Sequence, residues 1–278
     1  MHVLLWVERE LCSRKMGRIQ AGKQISEIYD TLFQAWGRQH WWPAKSRFEV
    51  IVGAYLTQNT SWTNVELALK NLRSANVLSV DGIRRLPLRR LEVLIRSSGY
   101  FRQKASRLKM FVKFLDETYG GSLTKMFAQP TERLRAELLA LNGIGPETAD
   151  SILLYAGQHP VFVVDAYTRR IANRHELAPE KATYEELRTL FQQGLAATAG
   201  KERLLRVNES TGVLLKPKGT SHKPSRMSCT SRVPMAQVYN EMHGLIVGVG
   251  KNYCAKSKPR CGECPLKPLL PSEQTPAF

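Results

Sequence analysis

The stretch 138–177 constrains the fold of this chain more than any other. Apolar residues at helical spacing lead into Gly143, Ile144 and Gly145, and a second apolar helical run covers residues 149–156. This order is typical of a helix-hairpin-helix. We expect both glycines to adopt positive φ and to leave room for a phosphate at the start of the second helix. Gly143, Ile144 and Gly145 are therefore predicted to bind a nucleic-acid backbone, although a plain turn between packed helices has the same pattern.

An apolar run at residues 161–164 follows the hairpin and ends at Asp165. Asp165 opens a basic segment that contains Arg169, Arg170 and Arg174. Aspartate is a common helix N-cap, and this role alone could explain its position. A carboxylate at that place can also stabilise positive charge that develops on a deoxyribose. Asp165 is therefore the candidate catalytic residue, and the two roles are compatible.

The charge of the chain indicates the kind of partner. Its 278 residues carry a formal net charge of +17 at pH 7, and the sequence pI is about 9.9. A polyanion fits this balance, and nucleic acid is favoured over a membrane because no run reaches the ~18 apolar residues of a spanning helix. A basic protein without such a partner is the alternative. We expect a cytoplasmic, nucleoid-associated protein, and the odd number of cysteines, five, favours a metal site over disulfides.

Residues 25–264 resemble the endonuclease III branch of the helix-hairpin-helix DNA glycosylases, whose signature is this hairpin followed by a Val-Asp pair. Within that branch the chain is most similar to the type III 3-methyladenine DNA glycosylases, because it carries WWP at 41–43 and LTQNTSW at 56–62. The resemblance implies an all-α, two-lobed fold of the HhH-GPD type. It also implies that the protein binds double-stranded DNA containing damaged bases and that Asp165 assists cleavage of the N-glycosidic bond.

The same resemblance assigns roles in base flipping. Trp41 and Trp62 would lie on the two faces of an extruded base, and Gln58 would fill the vacancy in the duplex. Aromatic faces favour a cationic ring, so an alkylated base such as 3-methyladenine is the expected substrate. Without the resemblance, both tryptophans are equally typical of core packing and Gln58 of a loop.

Glu147 bears on the number of chemical steps. Bifunctional relatives place a lysine just after the hairpin, and its amine attacks the sugar. The matching residue here is Glu147, which we assign to the surroundings of the base, so a monofunctional enzyme is predicted. An exposed acid favoured by the helix dipole is the simpler explanation of Glu147. A bifunctional glycosylase/lyase for oxidised pyrimidines and a non-catalytic DNA-binding protein are the alternative functions.

Cys254, Cys261 and Cys264 have the spacing C-x6-C-x2-C, which matches the first three ligands of the endonuclease III iron–sulfur loop. The resemblance therefore implies a [4Fe-4S] cluster. Its fourth cysteine is expected at position 270, which is Leu270. Cys229 or Cys12 could supply the ligand, one iron could take another residue type, or the loop could be degenerate. A zinc site of the three cysteines and His243 is a further alternative.

The composition of the chain suggests how it divides. Polar and basic residues crowd out apolar ones after residue 201, which predicts a mobile basic insertion. We expect a monomer with the following parts: an N-terminal extension (1–24), one helical lobe completed by both chain ends (25–50, 160–200 and 235–253), a second helical lobe ending in the hairpin (51–159), the insertion (201–234), the Cys-rich loop (254–264) and a tail (265–278).

Overall fold

Every regular element in the computed structural model is a helix, as the fold prediction requires. The structure describes residues 2–196, 198 and 222–271, with the side chains of 2–16 and 18 excluded, and no strand occurs in these residues. Most of the predicted mobile insertion, residues 201–221, lies outside this description, as does the side chain of Cys12. No helix in the described ranges combines the length and apolar character needed to cross a membrane.

The described residues contain twelve α-helices. In chain order they are α1 His2–Trp36, α2 Arg47–Leu56, α3 Trp62–Ser74, α4 Val80–Arg85, α5 Leu88–Leu94, α6 Phe101–Tyr119, α7 Leu123–Phe127, α8 Thr131–Leu139, α9 Pro146–Ser151, α10 Ala166–Arg174, α11 Tyr184–Leu195 and α12 Pro234–Asn252. A π-helical turn at Ile152–Gly157 continues α9, and short 3-10 turns occur at Arg96–Ser98, Cys261–Glu263 and Lys267–Leu269.

The chain forms two compact units. The first contains Met1–Trp41, Val161–Lys223 and Arg232–Phe278, and the second, which we call the hairpin unit, contains Trp42–Pro160 and Pro224–Ser231. This division differs from the predicted lobes at residues 42–50, because α2 packs against the π-helical turn of the hairpin unit. The resemblance implied an all-α fold, but the apolar sequence of α2 gave no information about its packing partner.

The core of the hairpin unit is built around α2. Ser46 caps its start by accepting a hydrogen bond from the Glu49 backbone N–H at 3.1 Å, and every residue from position 48 to 56 is buried. The two helices of the hairpin, α8 and α9, are joined by a buried ion pair. Arg135 donates to both carboxylate oxygens of Asp150, at 2.7 and 3.1 Å. A bidentate pair of this kind fixes the angle between the helices.

The first unit depends on close contacts between helices. All residues of α12 from Ala236 to Gly250 are buried. A Cβ at Gly250 would overlap the ring of Tyr167 on α10, so the absence of a side chain lets these helices approach. Likewise, a Cβ at Gly194 on α11 would lie 3.0 Å from the backbone oxygen of Gly22 on α1.

The N-terminal segment differs from the sequence prediction. Residues 1–24 were set apart as an extension, whereas α1 runs without interruption from His2 to Trp36. Ala21 is buried, and Gln24 donates hydrogen bonds to the backbone oxygens of His175 and Leu269. The end of the predicted extension therefore belongs to the packed part of the first unit.

Candidate active site

The hairpin turn lies between α8 and α9 and contains one glycine in the left-handed region. Gly143 has φ of +82°, whereas Gly145 has φ of −92° and is the extended N-cap of α9. The expectation that both glycines need positive φ is therefore wrong for Gly145. Ile144 is buried and fixes the turn, while a Cβ at Gly145 would meet no atom within 4 Å. The start of α9 is thus open to an approaching group, as a backbone-binding hairpin requires.

Gln58 is held at this turn. Its side-chain amide donates to the Gly143 oxygen at 2.9 Å and to Thr148 Oγ1 at 3.0 Å, and it accepts from Arg107 Nη1 at 3.1 Å. The next residue, Asn59, has φ of +52° and lies in the turn that follows α2. Sequence reasoning gave Gln58 a DNA-binding role but did not single out Arg107. A run of basic residues on α6 was the only sign of it, and such runs are usually solvated.

Asp165 is the N-cap of α10, as predicted. Its Oδ1 accepts hydrogen bonds from Thr168 N at 2.7 Å and from Thr168 Oγ1 at 2.9 Å. Its Oδ2 lies 3.6 Å from Nε2 of His243 on α12. The Asp165 side chain remains 13% exposed, so the carboxylate is held from two sides without being sealed off. This arrangement suits a fixed negative charge beside a reacting sugar.

His243 is a residue of this site that sequence reasoning missed. Burial lowers the pKa of His243, and the nearby Asp165 carboxylate only partly opposes the shift. The imidazole is therefore neutral at pH 7. The zinc alternative considered His243 as a ligand beside the cysteines, but the structure places it next to Asp165. No local pattern could have shown this, because α10 and α12 are far apart in the sequence.

Trp41 lies on the other side of His243. The two ring centroids are 5.9 Å apart, and the ring of His222 lies 5.4 Å from Trp41. Trp41 is buried in the first unit. Asp165, His243 and Trp41 thus form a continuous group of side chains, which links the candidate catalytic carboxylate to a candidate base-binding ring.

Trp62 begins α3 in the hairpin unit and is half-buried. It contacts the ring of Trp42 edge-on, with centroids 5.0 Å apart, and Trp42 in turn packs on Tyr155 at 5.2 Å. Trp42 is a core residue. Since Trp41 and Trp62 belong to separate units, their joint contact with a base stays a prediction.

Glu147 is exposed in the first turn of α9, with Pro146 before it. Helix dipoles favour an acid at this position, so the structural explanation of Glu147 holds. Its place beside the base stays a prediction.

The three clustered cysteines lie around one pocket. Burial raises the pKa of Cys264 to about 11, and the nearby thiols of Cys254 and Cys261 add to the shift. On α10, Arg174 Nη1 donates to Cys254 Sγ at 3.1 Å, and Arg170 Nε donates to the Cys254 backbone oxygen at 2.7 Å. These two hydrogen bonds connect the pocket to α10, the helix whose N-cap is Asp165.

The structure gives the location of the other residues named as possible metal ligands. In the described part of the chain, no three His, Cys, Asp or Glu side chains are grouped as one metal ion requires. Leu270 lines the pocket, but His243 does not, and Cys229 is exposed in the hairpin unit. The [4Fe-4S] cluster therefore stays a prediction.

Comparisons with known proteins agree with this geometry. Residues 52–197 match the HhH-GPD superfamily of base excision DNA repair proteins. An inferred DNA repair glycosylase of Methanocaldococcus jannaschii is 40% identical over 248 residues, which cover 88% of this chain and 94% of that protein.

Two solved structures have folds similar to that of this chain. The Helicobacter pylori 3-methyladenine DNA glycosylase, bound to 1,N6-ethenoadenine, is 28% identical, with a TM-score of 0.61 over 82% of this chain and 97% of the other. A trapped covalent complex of endonuclease III with DNA is 20% identical, with a TM-score of 0.61 over 91% and 95% of the two chains. Together with the hairpin and the capped Asp165, these matches place the chain in the HhH-GPD superfamily, as a DNA glycosylase of base excision repair.

Proposed function

We propose that this protein acts as a monomer on double-stranded DNA and removes an alkylated base such as 3-methyladenine. It hydrolyses the N-glycosidic bond and leaves the abasic site intact. The observation that carries the proposal is the position of Asp165. Thr168 fixes one oxygen of its carboxylate, His243 lies beside the other, and the side chain keeps access to solvent.

The chemistry follows from the leaving group. A base alkylated at a ring nitrogen carries positive charge, so it departs as a neutral molecule when it keeps the electrons of the broken C1′–N bond. The sugar becomes oxocarbenium-like, and the Asp165 carboxylate stabilises this charge. Water then adds to C1′, and its proton passes to Asp165 or to solvent. Such a reaction needs no strong general acid, which agrees with a site built from one carboxylate and a neutral histidine.

Two observations support a single chemical step. A lyase forms a Schiff base with an amine, and the carboxylate of Glu147 cannot do so. Lys104 has its pKa lowered to about 8 by burial, as a Schiff-base lysine would. However, its Nζ donates to the backbone oxygens of Leu56 and Ser98, and the residue is only 1% exposed. Lys104 is therefore structural.

The aromatic side chains support the choice of base. Trp41 would contact one face of the flipped ring and Trp62 the other, and each is held by an aromatic neighbour. A cation–π contact contributes on the order of 0.5–2 kcal/mol, which is enough to prefer a cationic base when its glycosidic bond is already weak. The similarity to the H. pylori enzyme, whose name gives 3-methyladenine, supports the same substrate.

The test compares release of 3-methyladenine from alkylated duplex DNA by the wild type, Trp41→Ala and Trp62→Ala. Each substitution should lower kcat/KM roughly 2- to 30-fold, the equivalent of one cation–π contact. Trp36→Ala is the control, because Trp36 is buried and stacks on Tyr253 away from the proposed base. Full activity in both variants, or a wild type that releases only oxidised pyrimidines, would refute the substrate.

We also propose that Cys254, Cys261 and Cys264 hold a [4Fe-4S] cluster. When bound, the cluster would order the C-terminal loop and take no part in bond cleavage. The hydrogen bond from Arg174 to Cys254 Sγ supports the proposal, because metal-binding side chains are commonly held by such neighbours. Protein purified without oxygen should be brown, and colourless protein without iron would contradict the proposal.

A further inference from the structure

His175 lines the same pocket as the three cysteines. It is the C-cap of α10, directly after Arg174, and is 6% exposed. Neither the sequence pattern nor the proposed reaction gives this side chain a role. The pocket also contains Leu270, which takes the place of the fourth cysteine and has no atom that can bind iron. The histidine is thus a nitrogen donor in a pocket that has three sulfur donors.

The hydrogen bond of His175 indicates which ring nitrogen carries the hydrogen. Its Nδ1 lies 3.0 Å from the backbone oxygen of Leu269. A carbonyl oxygen only accepts, so Nδ1 carries the hydrogen, and Nε2 of the neutral ring keeps a lone pair. Metal-binding histidines commonly donate their other N–H to a carbonyl or carboxylate in this way, because the bond fixes the ring and raises its basicity.

A second contact holds the two chain segments together. Gln24 Nε2 on α1 donates to the His175 oxygen at 3.4 Å and to the Leu269 oxygen at 3.2 Å. His175 is therefore connected in two ways to the segment where the fourth cysteine was expected. Its ring bonds directly to Leu269, and its backbone oxygen is bridged to Leu269 by Gln24. Leu270 stands where the fourth cysteine was expected, and the imidazole of His175 lines the same pocket as Leu270.

We infer that His175 is the fourth protein ligand of the cluster held by Cys254, Cys261 and Cys264. The inference rests on the proposed cluster, and it does not depend on the glycosylase substrate. Cys229 is exposed in the hairpin unit, and His243 lies beside Asp165, so neither matches the pocket as His175 does. A neutral imidazole in place of a thiolate makes the cluster less negative, which raises its reduction potential.

The test uses the full chain, reconstituted without oxygen from ferrous iron and sulfide. Iron and sulfide are measured chemically, and the reduced cluster is examined by pulsed EPR in protein labelled with 15N-histidine or left unlabelled. The wild type should bind about four irons and show a nitrogen coupling that changes with the label. A cluster without nitrogen coupling would overturn the inference while leaving the cluster itself in place.

Two variants make the assignment specific. His175→Ala should lose the coupling and bind less iron, and Leu270→Cys in the same chain should restore the iron without the coupling and lower the reduction potential. His159→Ala is the matched control, since His159 is also buried but bonds to Thr131 in the hairpin unit. A His175→Ala cluster with the wild-type spectrum would refute the ligand, and wild type without iron would refute both ligand and cluster. Glycosylase assays on the same preparations report separately on the proposed reaction.

Discussion

At the level of single residues, Asp165 has two roles that one substitution can separate. Asn is as good an N-cap as Asp, so Asp165→Asn should keep α10 intact while it removes the charge. We expect the rate of base release to fall about 10²- to 10³-fold, as when an electrostatic partner of a transition state is removed. Single-turnover kinetics on alkylated DNA measure this, with circular dichroism as the folding control. An Asn variant with the wild-type rate would exclude Asp165 from catalysis.

The two glycines of the hairpin make a matched pair, because they differ in backbone conformation. Gly143→Ala places a side chain at φ of +82° and against Arg107, so the free energy of unfolding should fall by about 1–2 kcal/mol or more. Gly145→Ala meets open space at an ordinary φ and should fold normally. Both should bind DNA more weakly, the second only by hindering the phosphate. Urea unfolding and fluorescence anisotropy test this, and equal stability losses would contradict it.

Residues whose roles depend on local pattern were the ones that sequence could predict. The cap at Asp165 needs only the polar residue that follows an apolar run. Arg107, His175 and His243 could not be found in this way, since each acts on a partner brought near by folding. Their types are common on helices, and only the three-dimensional contact distinguishes them.

Among the elements, the pair α8 and α9 depends on one buried ion pair. Asp150→Ala would leave the Arg135 guanidinium buried without its carboxylate, which should cost about 3–5 kcal/mol of unfolding free energy. Lys113→Ala, which breaks the exposed Lys113–Glu117 pair within α6, should cost less than about 0.5 kcal/mol. Urea denaturation of both variants gives the comparison. Similar losses at the two sites would mean that burial does not decide the effect.

The burial of His243 on α12 should make the stability of the protein depend on pH. Burial lowers the pKa of His243 in the folded chain, so the unfolded chain, with a histidine pKa near 6.5, takes up the proton first as pH falls. Stability is therefore full above pH 6.5 and is lost as pH falls towards the lower folded pKa. His243→Gln should show a shallower loss of Tm below pH 6.5 than the wild type. Parallel Tm curves would contradict this.

Element boundaries were less predictable than the elements themselves. Pro87 separates α4 from α5, because its ring cannot continue a helix. The early start of α1 was not predicted either. Its first residues lack a clear apolar stripe, and a long helix can extend beyond the part that packs.

For the whole molecule, the number of chemical steps can be read from one covalent trap. Borohydride should trap no protein–DNA adduct with the wild type, because no amine occupies position 147. Glu147→Lys should produce some adduct if this position faces the sugar, and Arg133→Lys, on an exposed part of α8, should not. Gel electrophoresis of the trapped mixture measures both. Efficient trapping by the wild type would indicate a bifunctional enzyme.

The overall class of the protein was predictable, but its division into units was less so. The resemblance to the helix-hairpin-helix DNA glycosylases, based on the hairpin and the Val-Asp pair, implied an all-α DNA glycosylase, and the family match agrees. The placement of α2 differed, because most of its residues are apolar and buried, and its sequence therefore favours no particular neighbour.

The helix α10 links two sites through its length. Asp165 caps its first turn and His175 caps its last, with nine helical residues between them. Each residue of an α-helix turns the chain by about 100° and advances it by about 1.5 Å. One inserted or deleted residue would therefore rotate the carboxylate away from His243 or the imidazole away from the pocket. Over evolution this segment should tolerate substitutions on its exposed face but no change in length.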